Sequence, residues 1–355
     1  MPGVINELAP VRNEPASMPV RWSNAIDDYP IAVSWSPDAT LIAVAASGGP
    51  ITLFDANSGD VHSVLAGHAP GTMSISWNAD GTMLASGGQD GCAHIWSVVD
   101  GTELAVCQGG SAWVEHTAFN PLGGTKRSNH LLATAAGRTL RIWSAKGVLI
   151  REYPEHASTV SAIAWKPGRQ ELVSASYGTL ATWVPSQDSA LKSFHWKGSI
   201  LSIACSPNDK FIATGDQDCT VHFWYTKTGR DLQMAGYPAK VLQLSWDATS
   251  RFLATGGSDT VVVWDCQRSP EGSTPLQCEG HEDFITMLAY QHRGSLLAST
   301  DATGLTALWH PIASSKPRAL FKMPDEAVAL SWNSTDDALV VASGSGRFNV
   351  LECAS

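Results

Sequence analysis

Charge is scarce in this chain, and positive charge most of all. Lys, Arg, Asp and Glu make up 16% of its 355 residues, with 23 cations against 33 acids and a net charge of −10. Globular chains ordinarily carry roughly 25% charged residues. With few basic clusters, duplex DNA or RNA is a poor candidate ligand, because phosphate binding depends on them. Long apolar runs are missing too, and none approaches the roughly 18 uncharged residues of a membrane-spanning helix. Residues 1–20 hold neither a basic leader nor an apolar stretch, so no secretory signal is expected there. The 7 cysteines are odd in number and lack paired spacing, which fits free thiols in a reducing compartment. These features predict a soluble, cytoplasmic protein that engages neither nucleic acid nor membrane.

Signatures of chemistry are equally thin. There is no G-x-S-x-G elbow, and Gly123-Gly124-Thr125-Lys126 lacks the spacing of a phosphate-binding loop. Neither C-x-x-C nor H-E-x-x-H occurs. Cys92 and His94 share one face of a strand, while Cys219 and His222 occupy similar places too far along to share an ion with them. Cys278, His281 and His292 lie in one stretch, but nothing in the spacing makes four ligands converge. The expectation is no catalysis, no cofactor and no metal, with a metal- or small-ligand-binding protein as the alternative.

What the chain has in quantity is tryptophan, 14 of them, and 31 glycines. Trp35, Trp77, Trp165, Trp246 and Trp332 each end a stretch of alternating apolar and small residues, and Phe119, Cys205 and Tyr290 fill the same place elsewhere. The eight positions stand 40 to 46 residues apart. A second series, Phe54, Trp96, Trp143, Trp183, Trp224, Trp264, Trp309 and Leu351, follows the first by 18 or 19 residues, or 24 in the third repeat. Between the two lie small-residue strands such as Leu84-Ala85-Ser86 and Leu297-Ala298-Ser299, preceded by turn residues such as Asn78-Ala79-Asp80-Gly81. One supersecondary unit is repeated eight times, with the period of propeller blades.

Over roughly residues 18–355 the chain resembles the WD-repeat family. Gly67-His68 and Gly280-His281 precede the innermost strand, and Trp264-Asp265, with Phe54-Asp55 as a variant, closes the third strand. The aspartate is replaced elsewhere by Ser97, Ser144, Val184, Tyr225 or His310. The resemblance implies an all-β, eight-bladed WD40 β-propeller, each blade a four-stranded antiparallel sheet with strands a to d. Only seven repeats are followed by a fourth strand, and a spare strand lies near Pro19-Val20-Arg21-Trp22. The N-terminal strand is therefore expected to close the last blade, Velcro fashion, which leaves residues 1–17 as a flexible arm and 18–355 as one domain. The resemblance also implies a hydrogen-bonded structural tetrad, which by matching position is His68, Ser86, Asp90 and Trp96, with no other repeat carrying all four.

In this family the d–a and b–c loops gather on one face, the top, and a rigid scaffold presents such loops for binding. The position just before strand a holds Tyr29, Trp113 and Phe284 in three repeats, and Glu326 in another. Trp196 stands where His68 stands in its own repeat, with Tyr177 in a neighbouring turn. Trp113, Tyr177 and Trp196 are expected to form an apolar sector. Asp216, Asp259, Glu282, Asp283, Asp301, Asp325 and Glu326 would form an acidic arc beside it. The partner expected is another protein or peptide with an apolar anchor and basic flanks. The loop 120–130, with Lys126 and Arg127, and the connection 266–275 offer a second docking point on the bottom. The strand-a entry residues Ile31, Met73, Val114, Val160, Ile200, Val241, Ile285 and Val328 are expected to line the central channel with apolar surface, which disfavours a small-molecule site there.

Overall fold

The computed structural model describes residues 15–123, 130–267 and 274–353. Every regular element among them is a β-strand. The first repeat shows the plan: Pro30–Trp35, Leu41–Ala46, Ile51–Asp55 and Val61–Leu65 pair antiparallel in that order. Strand b is buried along its whole length in the first, second and third repeats, and its small side chains (Leu41–Ala46, Met83–Gly88, Leu131–Ala136) let neighbouring sheets pack face to face. These stacked sheets make an all-β propeller.

Hydrogen bonding gathers the strands into seven sheets, where the repeat count predicts eight. The fourth and fifth repeats share one six-stranded sheet, in which Leu172–Trp183 folds back at Gly178, so that Trp183 Nε1 reaches Ser174 Oγ at 2.7 Å, and Lys192–Cys205 carries the chain from the fourth repeat into the fifth. Leu172–Trp183 pairs with Ala162–Trp165 through its first half and with Lys192–Cys205 through its second. Lys192–Cys205 in turn passes on to pair with Phe211–Asp216.

The first tryptophan series stitches neighbouring repeats together. Trp77 Nε1 donates to Ser34 O (3.3 Å), Trp165 Nε1 to Ala118 O (2.8 Å), Trp246 Nε1 to Ala204 O (3.0 Å) and Trp332 Nε1 to Ala289 O (2.9 Å). In each case the acceptor is the residue just before the matching position of the preceding repeat. Where Phe119 and Tyr290 replace the indole, Ser76 Oγ and Ser245 Oγ accept from their backbone N–H instead, both at 2.9 Å. The junction of the fourth and fifth repeats is bridged by Ser161 Oγ donating to Ile200 O.

The two chain ends meet in one sheet. Val20–Ala25 pairs antiparallel with Arg347–Glu352, Trp22 opposite Val350. Trp22 packs edge-on against Phe348, with ring centroids 5.8 Å apart. The flexible arm expected over residues 1–17 does not hold for its last residues. Residues 1–14 lie outside the described residues, but Ala16–Ser17 adds a parallel strand beside Ala319–Lys322, and Met18 is buried in the core. The apolar side chain of Met18 and two backbone N–H groups, donated to Arg318 O and Leu320 O, fix this stretch. The strand-a entry residues also differ from expectation. Val114, Val160, Ile200, Val241 and Ile285 are buried in the core clusters between sheets rather than lining a channel.

Candidate functional site

The second tryptophan series points inward, and the indoles of Trp96, Trp143, Trp183, Trp264 and Trp309 each donate to a hydroxyl of their own repeat. In the second repeat Trp96 Nε1 donates to Ser86 Oγ (2.8 Å), Ser86 Oγ meets His68 Nε2 (2.8 Å), and His68 Nδ1 meets Asp90 Oδ2 (2.9 Å). The carboxylate accepts, so Nδ1 carries the proton and Nε2 accepts from the serine hydroxyl. Burial lowers the His68 pKa, with the Asp90 hydrogen bond opposing, which keeps the ring neutral.

The seventh repeat carries a second complete tetrad, a correction to the sequence reading. Trp309 Nε1 donates to Ser299 Oγ (2.7 Å), His281 Nε2 meets Ser299 Oγ (2.6 Å), and Nδ1 meets Asp301 Oδ2 (3.1 Å). Asp301 therefore leaves the acidic arc: its side chain is fully buried. Burial opposes ionisation, but hydrogen bonds from His281, Thr303 and the backbone N–H groups of Glu282 and Leu305 outweigh it, holding the carboxyl well below the usual range. The signal lay in the spacing, since His281 precedes Ser299 by 18 residues as His68 precedes Ser86. The aspartate escaped notice because it sits two residues after the serine rather than four.

Asp216 also leaves the arc. It occupies the place of Asp301 in the fifth repeat, fully buried, with neither carboxylate oxygen hydrogen-bonded. Trp196 stands where the second, fourth and seventh repeats put an imidazole, so no histidine N–H reaches Asp216. Burial, and then the charge of Asp218, raise the Asp216 pKa to about 7, with Thr214 and Thr220 partly offsetting the shift. Trp196 itself is half-buried against His222, ring centroids 3.8 Å apart, with Nε1 enclosed and unpartnered. It does not join the exposed sector, because its place on the strand Lys192–Cys205 turns it onto the strand-c histidine.

The remaining aromatics stand at the surface. Tyr29 (45%), Trp113 (50%), Tyr177 (58%) and Phe284 (54%) keep about half their area exposed, all at the end of the sheets where strand a begins and strand b ends. A recurring bond fixes this position: Tyr29 O, Gly71 O, Ser199 O, Phe284 O and Glu326 O each accept a backbone N–H from the b–c turn of the same repeat. Tyr177 N–H donates to Ser158 Oγ at 2.8 Å, which holds the b–c turn of the fourth repeat to its entry loop. Asp259, Glu282, Asp283 and Glu326 are exposed at the same end. Glu282 is paired with Lys322 (3.2 Å), Asp283 accepts the N–H of Phe284 (2.7 Å), and Asp325 is half-buried, accepting from Ser345 N–H.

A concavity of about 700 Å³ opens at the opposite end of the fourth and fifth repeats, lined by Lys166, Arg169, Lys192, Lys210, Phe211 and Tyr225 among others. Sequence reading missed it, since its walls come from four separate connections. Its buried cation is neutralised within the wall: Lys166 Nζ lies 2.7 Å from Glu171 and 3.4 Å from Asp209. Lys126 and Arg127, expected as a second docking point, lie outside the described residues, as do residues 268–273 of the other connection.

Known proteins resemble this arrangement. The family model "Anaphase-promoting complex subunit 4 WD40 domain" matches residues 33–119, and "WD domain, G-beta repeat" matches 147–183, 189–225 and 232–265. The WD repeat-containing protein slp1 of Schizosaccharomyces pombe is 25% identical over 244 residues, 65% of this chain and 48% of its own length. Cell division cycle 20.4, cofactor of APC complex, of Arabidopsis thaliana is 23% identical over 323 residues, 84% of this chain and 70% of its own. The telomerase protein component 1 of Rattus norvegicus matches 90% of this chain at 22% identity, with only 14% of its own length involved. The chain thus spans about half of the first of these relatives. In fold, the crystal structure of the computationally designed Ika8 protein superimposes with a TM-score of 0.78 at 23% identity, covering 93% of this chain and 98% of the other.

Proposed function

Because the chain belongs to the WD-repeat family, we propose that it is a non-catalytic scaffold that holds a partner protein or peptide on the face bearing Tyr29, Trp113, Tyr177 and Phe284. The observation that carries this reading is the set of half-exposed aromatics at one end of the sheets, three of them (Tyr29, Trp113 and Phe284) at equivalent positions of separate repeats. Large rigid aromatics at a partly dry surface are the usual energetic anchors of interfaces. The polar tetrads, by contrast, are satisfied internally, and their serines and histidines are buried.

The disc is read as eight blades, the six-stranded sheet being two blades joined through the shared segment Lys192–Cys205. The inter-repeat bonds support this count, since the junction of the fourth and fifth repeats also carries a side-chain bridge, Ser161 Oγ to Ile200 O. Exposed Asp259, Glu282, Asp283 and Glu326 favour a partner segment with basic residues beside its apolar anchor. Among the relatives, one is named a cofactor of the APC complex and a matching family model is named for a subunit of that complex. These names favour a partner that is itself part of a protein assembly.

The test is affinity capture from native lysate, comparing wild type with a Trp113→Ala/Tyr177→Ala/Phe284→Ala variant of unchanged melting temperature. A partner lost only by the folded variant supports the reading. A partner retained at full yield moves binding away from this face.

A further inference from the structure

The second repeat holds something its siblings do not. His94, on strand Cys92–Ser97, lies beside the tetrad with its Nε2 3.7 Å from Asp90 Oδ2. Its other nitrogen, Nδ1, meets Glu103 Oε2 of the neighbouring strand at 2.6 Å. A carboxylate on Nδ1 fixes the tautomer, so the Nε2 lone pair points free toward Asp90, the arrangement that orients histidine ligands in metal sites. Across from it, His68 Nδ1 sits 2.9 Å from the same carboxylate oxygen. The three donor atoms all lie within 4.8 Å of one another, the one such group of His, Cys, Asp or Glu among the described residues.

We propose that His68 Nδ1, Asp90 and His94 Nε2 form a binding site for a single zinc-type divalent cation. Ligands about 2.0–2.1 Å from a tetrahedral ion stand roughly 3.3–3.4 Å apart. The two gaps to Asp90, 2.9 and 3.7 Å, bracket that spacing, so small side-chain shifts suffice. Two imidazoles and one carboxylate suit zinc, whereas calcium and magnesium call for sets made of oxygen. Access is open, since Asp90 and His94 keep 25% and 16% side-chain exposure while His68 is buried. A water completes the fourth position. On binding, the His68 proton moves from Nδ1 to Nε2 and is donated to Ser86 Oγ, while the serine hydroxyl hydrogen turns away. No net proton is lost.

Two other repeats serve as internal controls. In the fifth, His222 occupies the place of His94 and meets Asp231 Oδ2 at 3.2 Å, the same nine-residue spacing as His94 to Glu103, but Trp196 replaces the second imidazole. In the seventh, His281 and Asp301 match His68 and Asp90, but Ala307 stands in the place of His94. Only the second repeat brings both imidazoles to one carboxylate.

The experiment titrates Co²⁺, a spectroscopic stand-in for Zn²⁺, into chelator-treated protein free of any affinity tag. Wild type is expected to bind one equivalent with the visible absorption of a four-coordinate site, displaced by Zn²⁺. His94→Gln, which removes none of the tetrad's hydrogen bonds and is checked by its metal-free melting temperature, is expected to abolish that absorption. Glu103→Gln is expected to weaken binding 10–100-fold, as loss of an orienting partner does, and keeps the test alive should the first variant unfold. His292→Gln, altering an exposed histidine elsewhere, is expected to change nothing. Absence of binding by wild type, or equal binding by wild type and both site variants, overturns the proposal.

Discussion

Trp35 Nε1 donates a hydrogen bond to the carbonyl oxygen of Ser331 at 3.0 Å, joining residues 296 positions apart in the chain. It is the same bond that Trp77 makes to Ser34 and Trp332 to Ala289 within continuous sequence. The seam where the chain ends meet is therefore built like any other junction, and the propeller is a closed ring.

Closure of this kind has a measurable signature. Trp35→Phe and Trp77→Phe each leave one buried carbonyl without its donor, at a cost of about 1–3 kcal/mol. Urea unfolding is expected to give the two variants similar losses. A negligible loss for Trp35→Phe alone would mean that the seam is open.

Removing residues 15–25 takes away the strand paired with Arg347–Glu352 and bares a sheet edge. The truncated chain is expected to melt at markedly lower temperature and to aggregate on heating, as scanning calorimetry with light scattering would show. An unchanged melting curve would mean that the N-terminal strand is ornament.

The tetrads predict a contrast between repeats. Ser86→Ala and Ser299→Ala each strand an indole N–H and an imidazole nitrogen, and are expected to cost about 1–3 kcal/mol. Thr214→Val, by contrast, removes a hydroxyl that makes no hydrogen bond of good geometry and only weakly favours the Asp216 carboxylate, beside an unpartnered Trp224 Nε1. It is expected to be neutral or stabilising in the same unfolding experiment, since an apolar group of equal shape replaces an unsatisfied one.

Asp216 gives the protein a pH dependence of definite sign. Its pKa stands at about 7 in the folded chain against an ordinary value of 3.8, with burial the main cause. A raised pKa means that the folded state holds the proton more tightly. The group's contribution is most favourable below pH 4 and is lost as pH rises toward 7. Asp216→Asn is thus expected to raise stability at pH 8 by roughly a few kcal/mol and to have little effect at pH 4. Thermal melts at the two pH values check this, and an equal effect at both would contradict it.

The ring of repeats was legible because the two tryptophan series do different jobs at fixed spacing. One reaches into the previous repeat and the other into its own strand b, so position in the motif announced the partner. The rim positions read from the same register, and Tyr29, Trp113, Tyr177 and Phe284 do stand at the surface. What sequence spacing does not convey is which way a residue within or at the end of a strand turns its side chain. Trp196 was expected outward and packs inward on His222, and Asp216 and Asp301 were expected on the surface and lie buried. Likewise the pairing of Lys192–Cys205 with both Leu172–Trp183 and Phe211–Asp216, which merges two repeats into one sheet, rests on backbone hydrogen bonds that residue types do not signal.

The central claim, that the aromatic rim is the docking face, is tested most directly by site-specific photocrosslinking in native lysate. A photoreactive phenylalanine analogue is placed at Trp113 or Tyr177, and as a control at Ile312, which is exposed in a c–d connection at the opposite end. The account predicts one discrete crosslinked partner from positions 113 and 177 and none from 312. A partner captured from position 312 alone would contradict it.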